Sequence, residues 1–154
     1  MFSFKDLYVV YMKDCETRLK STTIDNKMNV IEHQLLPYFG ETQIDKIDSA
    51  MVRRWQNEII SKGYKSTYQK TIHNQLSAMF NYAVDFHKLK SNPARKAKSI
   101  GSKKSDSEMK IWTPNQFRTF VYYFVEDFQM RAAFNILFWT GIRSGELLAY
   151  LLKI

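Results

Sequence analysis

The residues best suited to chemistry form one short run, Thr140-Gly141-Ile142-Arg143-Ser144-Gly145-Glu146-Leu147-Leu148. Gly141 can end a helix in the left-handed conformation and Ser144 can cap the next, so Arg143 is expected on a tight turn between two apolar helices. A guanidinium held there, beside helix N-terminal amides, suits bidentate capture of a phosphate. Glu146 lies one helical turn on and can pair with Arg143, holding its rotamer. The plainer alternative is a helix-turn-helix corner whose arginine makes a surface ion pair.

A second set of polar residues falls on one helix. Opposite Tyr68, Ile72, Leu76 and Phe80 stand Gln69, Lys70, His73, Asn74, Ser77 and Asn81, with no acid before Asp85. A face that is only solvated usually mixes in Glu and Asp, whereas Lys, Asn, Gln, His and Ser suit phosphates and base edges. Lys65-Ser66-Thr67, at the start of that helix, adds backbone amides and a charge for a phosphate. Lys27 joins the set, expected on the exposed side of an earlier helix. Arg95, Lys96, Lys98, Lys103 and Lys104 can follow a duplex backbone or, alternatively, form a disordered basic tether that strengthens nonspecific binding. Trp55, Trp112 and Trp139 fall at or beside apolar stripes and are assigned to cores.

The elements that position these residues read as helical almost throughout. Phe4, Leu7, Tyr8 and Tyr11 mark a first helix, ending near Leu19. Ile24, Met28, Ile31, Leu35 and Phe39 mark a second, opened by a Thr22/Asp25 capping box and closed by Pro37 and Gly40. Asp48 caps a third with the stripe Val52, Trp55 and Ile59, stopped by Gly63. Ser66 or Thr67 opens a fourth, continuing to about Lys90. No segment alternates apolar and polar residues between turn pairs, so no sheet is expected.

After this bundle, residues 1–92, comes a stretch rich in Ser, Lys, Gly and Pro with almost nothing to bury. Residues 93–110 therefore read as a basic interdomain linker. Helical patterning resumes over 111–154, where Thr113, Pro114 and Gln116 supply a cap, a first-turn proline and a box partner. Asp127 caps a further helix through Ala132, Ala133, Phe134, Leu137 and Phe138, apolar on nearly every side. Such a helix is normally buried from several directions, and the remaining residues offer too few partners, so the second domain is expected to be truncated.

Charge sharpens the picture. Residues 49–104 hold twelve basic side chains against Glu58 and Asp85, while the segments on either side are neutral or slightly acidic, so the whole net charge of +8 sits in one stretch. Such a local field attracts polyanions, nucleic acid first and an anionic membrane second. With 45% hydrophobic and 25% charged residues, the chain is neither disordered nor fibrous. No apolar run approaches a bilayer span, and the N-terminus is charged too early for a secretion signal. The single Cys15 cannot make an internal disulfide, and Cys15 with His33, His73 and His87 lacks zinc-ligand spacing. A reducing, cytoplasmic setting is expected, with no metal and no membrane partner.

At this point the chain resembles the tyrosine recombinases, or phage-type integrases. Their catalytic domains begin with a helix after a Thr-Pro or similar cap and then present a Thr-Gly-hydrophobic-Arg-x-x-Glu-hydrophobic turn, which TGIRSGELL at 140–148 resembles. Upstream, FSFKDLYVVYM, STTIDNKMNVIEHQLLPYFG, IDKID, LSAMFNYAVDFHKLKSNPA and IWTPNQF resemble the family's recurring segments in the right order. The resemblance implies an all-α fold: a four-helix core-binding (SAM-like) bundle, a basic linker, and the helical N-terminal part of the recombinase catalytic domain.

It also implies roles. The arginine matching Arg143 grips the non-bridging oxygens of the scissile phosphate while a tyrosine attacks and a 3′-phosphotyrosyl bond forms, with Glu146 in support. Arginines take the part a metal plays elsewhere, so no cofactor is implied. The implied partners are double-stranded DNA and recombinase protomers of the same kind, in a bacterial or phage-encoded system. The family's lysine, His-x-x-Arg pair, further His or Trp and nucleophilic tyrosine lie well downstream of that arginine. None of His33, His73 or His87 begins His-x-x-Arg, and Tyr150 lies too close to Arg143 to match the nucleophile. These residues are thus expected to bind DNA without cutting it. A helical adaptor for acidic proteins and a complete small nuclease are the alternatives from other classes.

Overall fold

The computed structural model describes residues 2–104, 108 and 110–151. They form two compact units, Met1–Ser107 and Glu108–Ile154. Both are helical, and the described residues contain no strand beyond a lone bridge between Ser3 and Gln43.

In the first unit, α1 (Phe4–Arg18) opens with a capping box: the Asp6 amide donates to Ser3 Oγ at 3.1 Å and the Ser3 amide donates to Asp6 Oδ2 at 2.8 Å. α2 (Ser21–Val30) lacks the expected Thr22/Asp25 box; Lys20 precedes it with no side-chain cap. Pro37 does not stop this helix either. Ahead of it the chain widens into a π turn, Ile31–Leu35, and continues as α3 (Leu36–Phe39). The wider spacing relieves the clash between a helical proline ring and the carbonyl one turn back.

α4 (Ser49–Ser61) starts at Asp48, whose Oδ1 accepts from the Met51 amide at 2.7 Å. It buries Val52, Trp55 and Ile59 as its spacing predicts. α5 (Ser66–Phe86) ends before Lys90, because the His87 and Leu89 amides both turn back to the Ala83 carbonyl and Lys88 takes the left-handed conformation. At the centre, Phe39 lies 5.5 Å from both Phe4 and Trp55, and Phe4 lies 5.7 Å from Phe80, ring centre to ring centre. All four are essentially buried, and truncating any of them to alanine costs about 3–5 kcal/mol.

The segment read as a linker departs most from expectation. Residues 93–102 are docked on the first unit: α6 (Pro93–Lys96) packs against α4 and α5, and Pro93, Ala94, Ala97 and Ile100 are buried. The three-residue spacing of Ala94, Ala97 and Ile100, with Pro93 beside the first, gives this short strap an apolar edge small enough to sink between two helices, so it buries a side while staying basic overall.

In the second unit, α7 (Pro114–Tyr122) has the expected box, the Gln116 amide donating to Thr113 Oγ1 and the Thr113 amide to Gln116 Oε1. Asp127 caps α8 (Phe128–Thr140), and α9 (Ser144–Leu151) follows. Phe117 stacks on Phe138 at 3.8 Å, and Phe120 and Phe124 lie about Phe134. No α8 residue is fully buried within this unit, and Trp112 and Trp139 are 48% and 61% exposed. The core assignment therefore holds for Trp55 alone of the three tryptophans.

Candidate nucleic-acid interface

The polar face of α5 is not an open surface. The strap runs back along it, from Asn92 beside Ser77 and Asn81 to Gly101 beside Ser66 and Lys70. Three side chains hold it down. Asn92 Nδ2 donates to Asn81 Oδ1 at 2.8 Å and to the Ser77 carbonyl at 2.9 Å, and Asn92 Oδ1 accepts from the Ala94 and Arg95 amides. Gln56 Nε2 donates to the Lys98 carbonyl at 2.7 Å, and Arg53 Nη2 donates to the Ala97 carbonyl. At the far end, the Ser102 amide reaches the Ser66 carbonyl at 3.3 Å.

This arrangement redistributes the expected contact residues. His73 is 4% exposed, its Nδ1 standing 3.1 Å from Gln56 Nε2, so it lies beneath the strap instead of on the surface. Burial, then Lys70 and Arg53 nearby, hold its pKa below the ordinary histidine value. Ser77 is half-buried and spent on Asn92. Lys27 is also not on an exposed side: its Nζ lies between Tyr11 Oη (2.8 Å) and Gln75 Oε1 (3.0 Å), over the Tyr11 ring, and burial lowers its pKa. Both Lys27 and His73 fall where helical phase alone cannot separate a flank from a free face.

Lys65 and Asn74 are exposed, with Ser66, Thr67 and Lys70 half-buried beside them. Arg95, Lys96, Lys98, Lys103 and Lys104 are exposed, the first three carried on the strap instead of a free tether. Asp85 lines a shallow hollow with Asn81, Arg95 and Lys96. Among the described residues the ion pairs are Arg18–Asp14 and Arg143–Glu146, so none of these basic side chains is neutralised by a carboxylate at salt-bridge distance.

Sequence reading missed Arg53, Gln56 and Asn92. Gln56 lies a turn after Val52 and just under a turn before Ile59, which places it on the buried side of α4. Asn92 followed by Pro93 is a helix-start signal, an N-cap residue ahead of a first-turn proline.

In the second unit, Gly141 takes the left-handed conformation expected of it (φ 67°), its amide donating to the Leu137 carbonyl at 3.1 Å. Ser144 is already the first residue of α9 and does not precede it as a cap. Instead the Arg143 amide donates to Glu146 Oε2 at 3.0 Å, and Arg143 Nη1 lies 3.4 Å from Glu146 Oε1. The glutamate thus closes the corner through the backbone, and the ion pair is loose. The Arg143 side chain is 87% exposed.

Residues 3–60 match the model of the phage integrase N-terminal SAM-like domain. The chain is 28% identical over 148 residues to the ICEBs1 integrase of Bacillus subtilis, covering 96% of this chain and 40% of that protein. It is 29% identical over 110 residues to a XerC-like tyrosine recombinase of Caldanaerobacter subterraneus, covering 69% and 28%. The chain thus spans well under half the length of these relatives. Among solved structures, a lambda integrase dimer bound to a core site is similar in fold (TM-score 0.72, 18% identity, 88% of this chain and 38% of that one). So is the Tn1549 transposon integrase in complex with a circular intermediate DNA (TM-score 0.62, 21% identity, 93% and 46%). The SAM-like bundle and these similarities agree: residues 3–60 match the phage integrase N-terminal SAM-like domain, and the chain is similar in sequence to integrases and a tyrosine recombinase and in fold to solved integrases.

Proposed function

We propose that this chain is the duplex-binding portion of a site-specific tyrosine recombinase serving integration or excision of a mobile element. The observation that carries the reading is the set of unneutralised basic side chains along the strap and the two helices it bridges: Arg53, Lys65, Lys70, Arg95, Lys96 and Lys98. Phosphates attract such a row irrespective of sequence, and exposed Asn74 adds a group able to read a base edge. The row also supports phosphate capture at several successive positions of a duplex, which one lysine cluster could not give.

In the same reading, the second unit supplies the start of the catalytic domain. Arg143 binds the non-bridging oxygens of the scissile phosphate, offsetting charge that grows as a tyrosine oxygen bonds to phosphorus and the 5′ oxygen leaves. Glu146 keeps Arg143 at the corner. The tyrosine, and protomers of the same kind that would complete a recombination complex, belong to the proposal for the whole protein. No described helix is long and apolar enough to cross a membrane.

Duplex affinity measured across salt concentrations tests the reading. Each neutralised phosphate contributes about −0.9 to the log–log slope, so several contacts give a slope of about −3 or steeper. Substituting Lys70 and Asn74 with alanine weakens binding by about 1–3 kcal/mol per lost base contact and less for a phosphate contact. A flat salt response, or no binding in dilute buffer, overturns the proposal and favours an adaptor for acidic proteins.

A further inference from the structure

We infer that Asn92 is a positioning residue for duplex binding: by locking α6 against α5 it presents Arg95 and Lys96 as preset contacts. The inference rests on the duplex-binding reading above and adds the buried group on which the strap's register depends.

A four-residue helix cannot persist alone, since nucleating even one turn is unfavourable. What holds the N-terminus of α6 is one amide side chain, 6% exposed, with both polar atoms engaged, while Arg53 donates to the Ala97 carbonyl at its other end. The Asn92 oxygen accepts from the amides of Ala94 (2.9 Å) and Arg95 (3.2 Å), closing the N-terminus of α6. Its nitrogen donates to Asn81 Oδ1 (2.8 Å), the Ser77 carbonyl (2.9 Å) and Ser77 Oγ (3.2 Å), tying that terminus to two successive turns of α5. Pro93 and Ala94 are buried directly behind it.

Arg95 and Lys96 follow at once and are exposed. The orientation of Asn92 therefore fixes where their stems leave the surface. Long basic side chains held on a fixed stem lose less freedom on binding than the same side chains on a tether, and that difference appears as affinity. Asn92 touches no phosphate in this scheme. It acts through its two neighbours.

A double-mutant cycle on the 154-residue chain tests this, with a mixed-sequence DNA duplex in low salt as the probe. Asn92→Ser keeps a capping oxygen for α6 and removes the donor to α5. It weakens duplex binding roughly tenfold, the scale of fixing two long side chains in advance. In the Arg95→Ala/Lys96→Ala background the same change has less than about a twofold effect, because the groups it positions are gone. Trypsin cleavage at Lys96 and Lys98 accelerates in Asn92→Ser, reporting strap release without DNA. Should Asn92→Ser not fold by circular dichroism, the half-exposed Asn81→Ala, which deletes one acceptor, takes its place in the cycle with a smaller effect of the same pattern. Equal losses in both backgrounds, or a released strap with unchanged affinity, or a strap that stays protected, overturns the role of Asn92. Failure of the unaltered chain to bind duplex strikes the functional reading itself; binding without coupling strikes only this inference.

Discussion

Gln56 Nε2 donates to the Lys98 carbonyl at 2.7 Å and faces His73 Nδ1 at 3.1 Å, so one amide on α4 joins the strap to the buried histidine beneath it. The geometry requires a neutral ring with a bare Nδ1, since a protonated ring would turn a donor toward a donor. Gln56 Oε1 is meanwhile buried without a partner, a cost tolerated because the nitrogen makes both bonds.

A pH dependence of stability follows from that ring. The charged groups nearest it, Lys70 on α5 and Arg53 on α4, are both cationic and act with burial to keep its folded pKa below 6.5. The unfolded chain then binds the proton more readily, so the stability this site contributes is complete above pH 6.5 and is lost as pH falls below it. Chemical denaturation at pH 7.5 and 5.5 checks this by comparing the unaltered chain with His73→Phe. The unaltered chain loses more stability between the two pH values, and equal losses would remove His73 as the cause.

Gly101 offers a second handle on the strap. Its φ is +72°, and a Cβ there would sit 2.1 Å from the Ser66 carbonyl oxygen and 2.7 Å from the Lys70 nitrogen, both backbone atoms. Gly101→Ala must therefore move the strap end or strain it, at about 1–2 kcal/mol for the left-handed backbone alone. Because the strap can lift locally, helix content and the Trp55 core remain while trypsin cleavage at Lys98 and Lys103 speeds up. Cleavage at the native rate would show that the close approach is easily relieved.

Helices in both units were legible because apolar spacing and caps agree: Asp48 before Val52, Trp55 and Ile59 in the first, and Thr113 with Gln116 before Phe117 in the second. The strap was not, because its apolar edge consists of Pro93, Ala94, Ala97 and Ile100 among lysines, too small and too interrupted to outweigh composition. The same oversight left His73 and Ser77 on a free face, since a helix side looks open until the segment covering it is recognised. Pro37 misled for a different reason: a π turn absorbed it, and nothing in the local residues signals that escape. At the arginine corner Gly141 was readable from its type alone, whereas the helix begins one residue earlier than a serine cap suggests.

Lys27 separates charge from contact. It sits half-buried between Tyr11 and Gln75 with no carboxylate at salt-bridge distance, and burial disfavours its charged form. Lys27→Met fills the same space without the desolvated ammonium, so thermal stability stays within about 1 kcal/mol of the unaltered chain, the usual limit for volume-conserving exchanges being about 1.5. Duplex affinity changes by less than about twofold, against the tenfold salt-sensitive loss expected when a bound phosphate's partner is removed. A large drop in affinity with intact folding would return Lys27 to the interface.

The histidines bear on cleavage. His33 Nδ1 is engaged by the Asn29 carbonyl at 2.8 Å, His73 lies under the strap, and His87 stacks on Phe2 with ring centres 4.8 Å apart. His33 is exposed, His87 half-buried and His73 buried, and none of the three is followed by an arginine at the His-x-x-Arg spacing. Tyr150 lies on α9 close behind the arginine corner and is 70% exposed. Incubating residues 1–154 with supercoiled plasmid is therefore expected to leave it unnicked, with or without Tyr150→Phe, while retardation of the plasmid on a gel persists in both. Relaxed plasmid that disappears on Tyr150→Phe would instead make Tyr150 a nucleophile and the chain an enzyme by itself. Nicking that persists in the variant would point to another residue or a contaminant, and Arg143→Ala distinguishes these, since only nicking through the arginine corner is abolished by it.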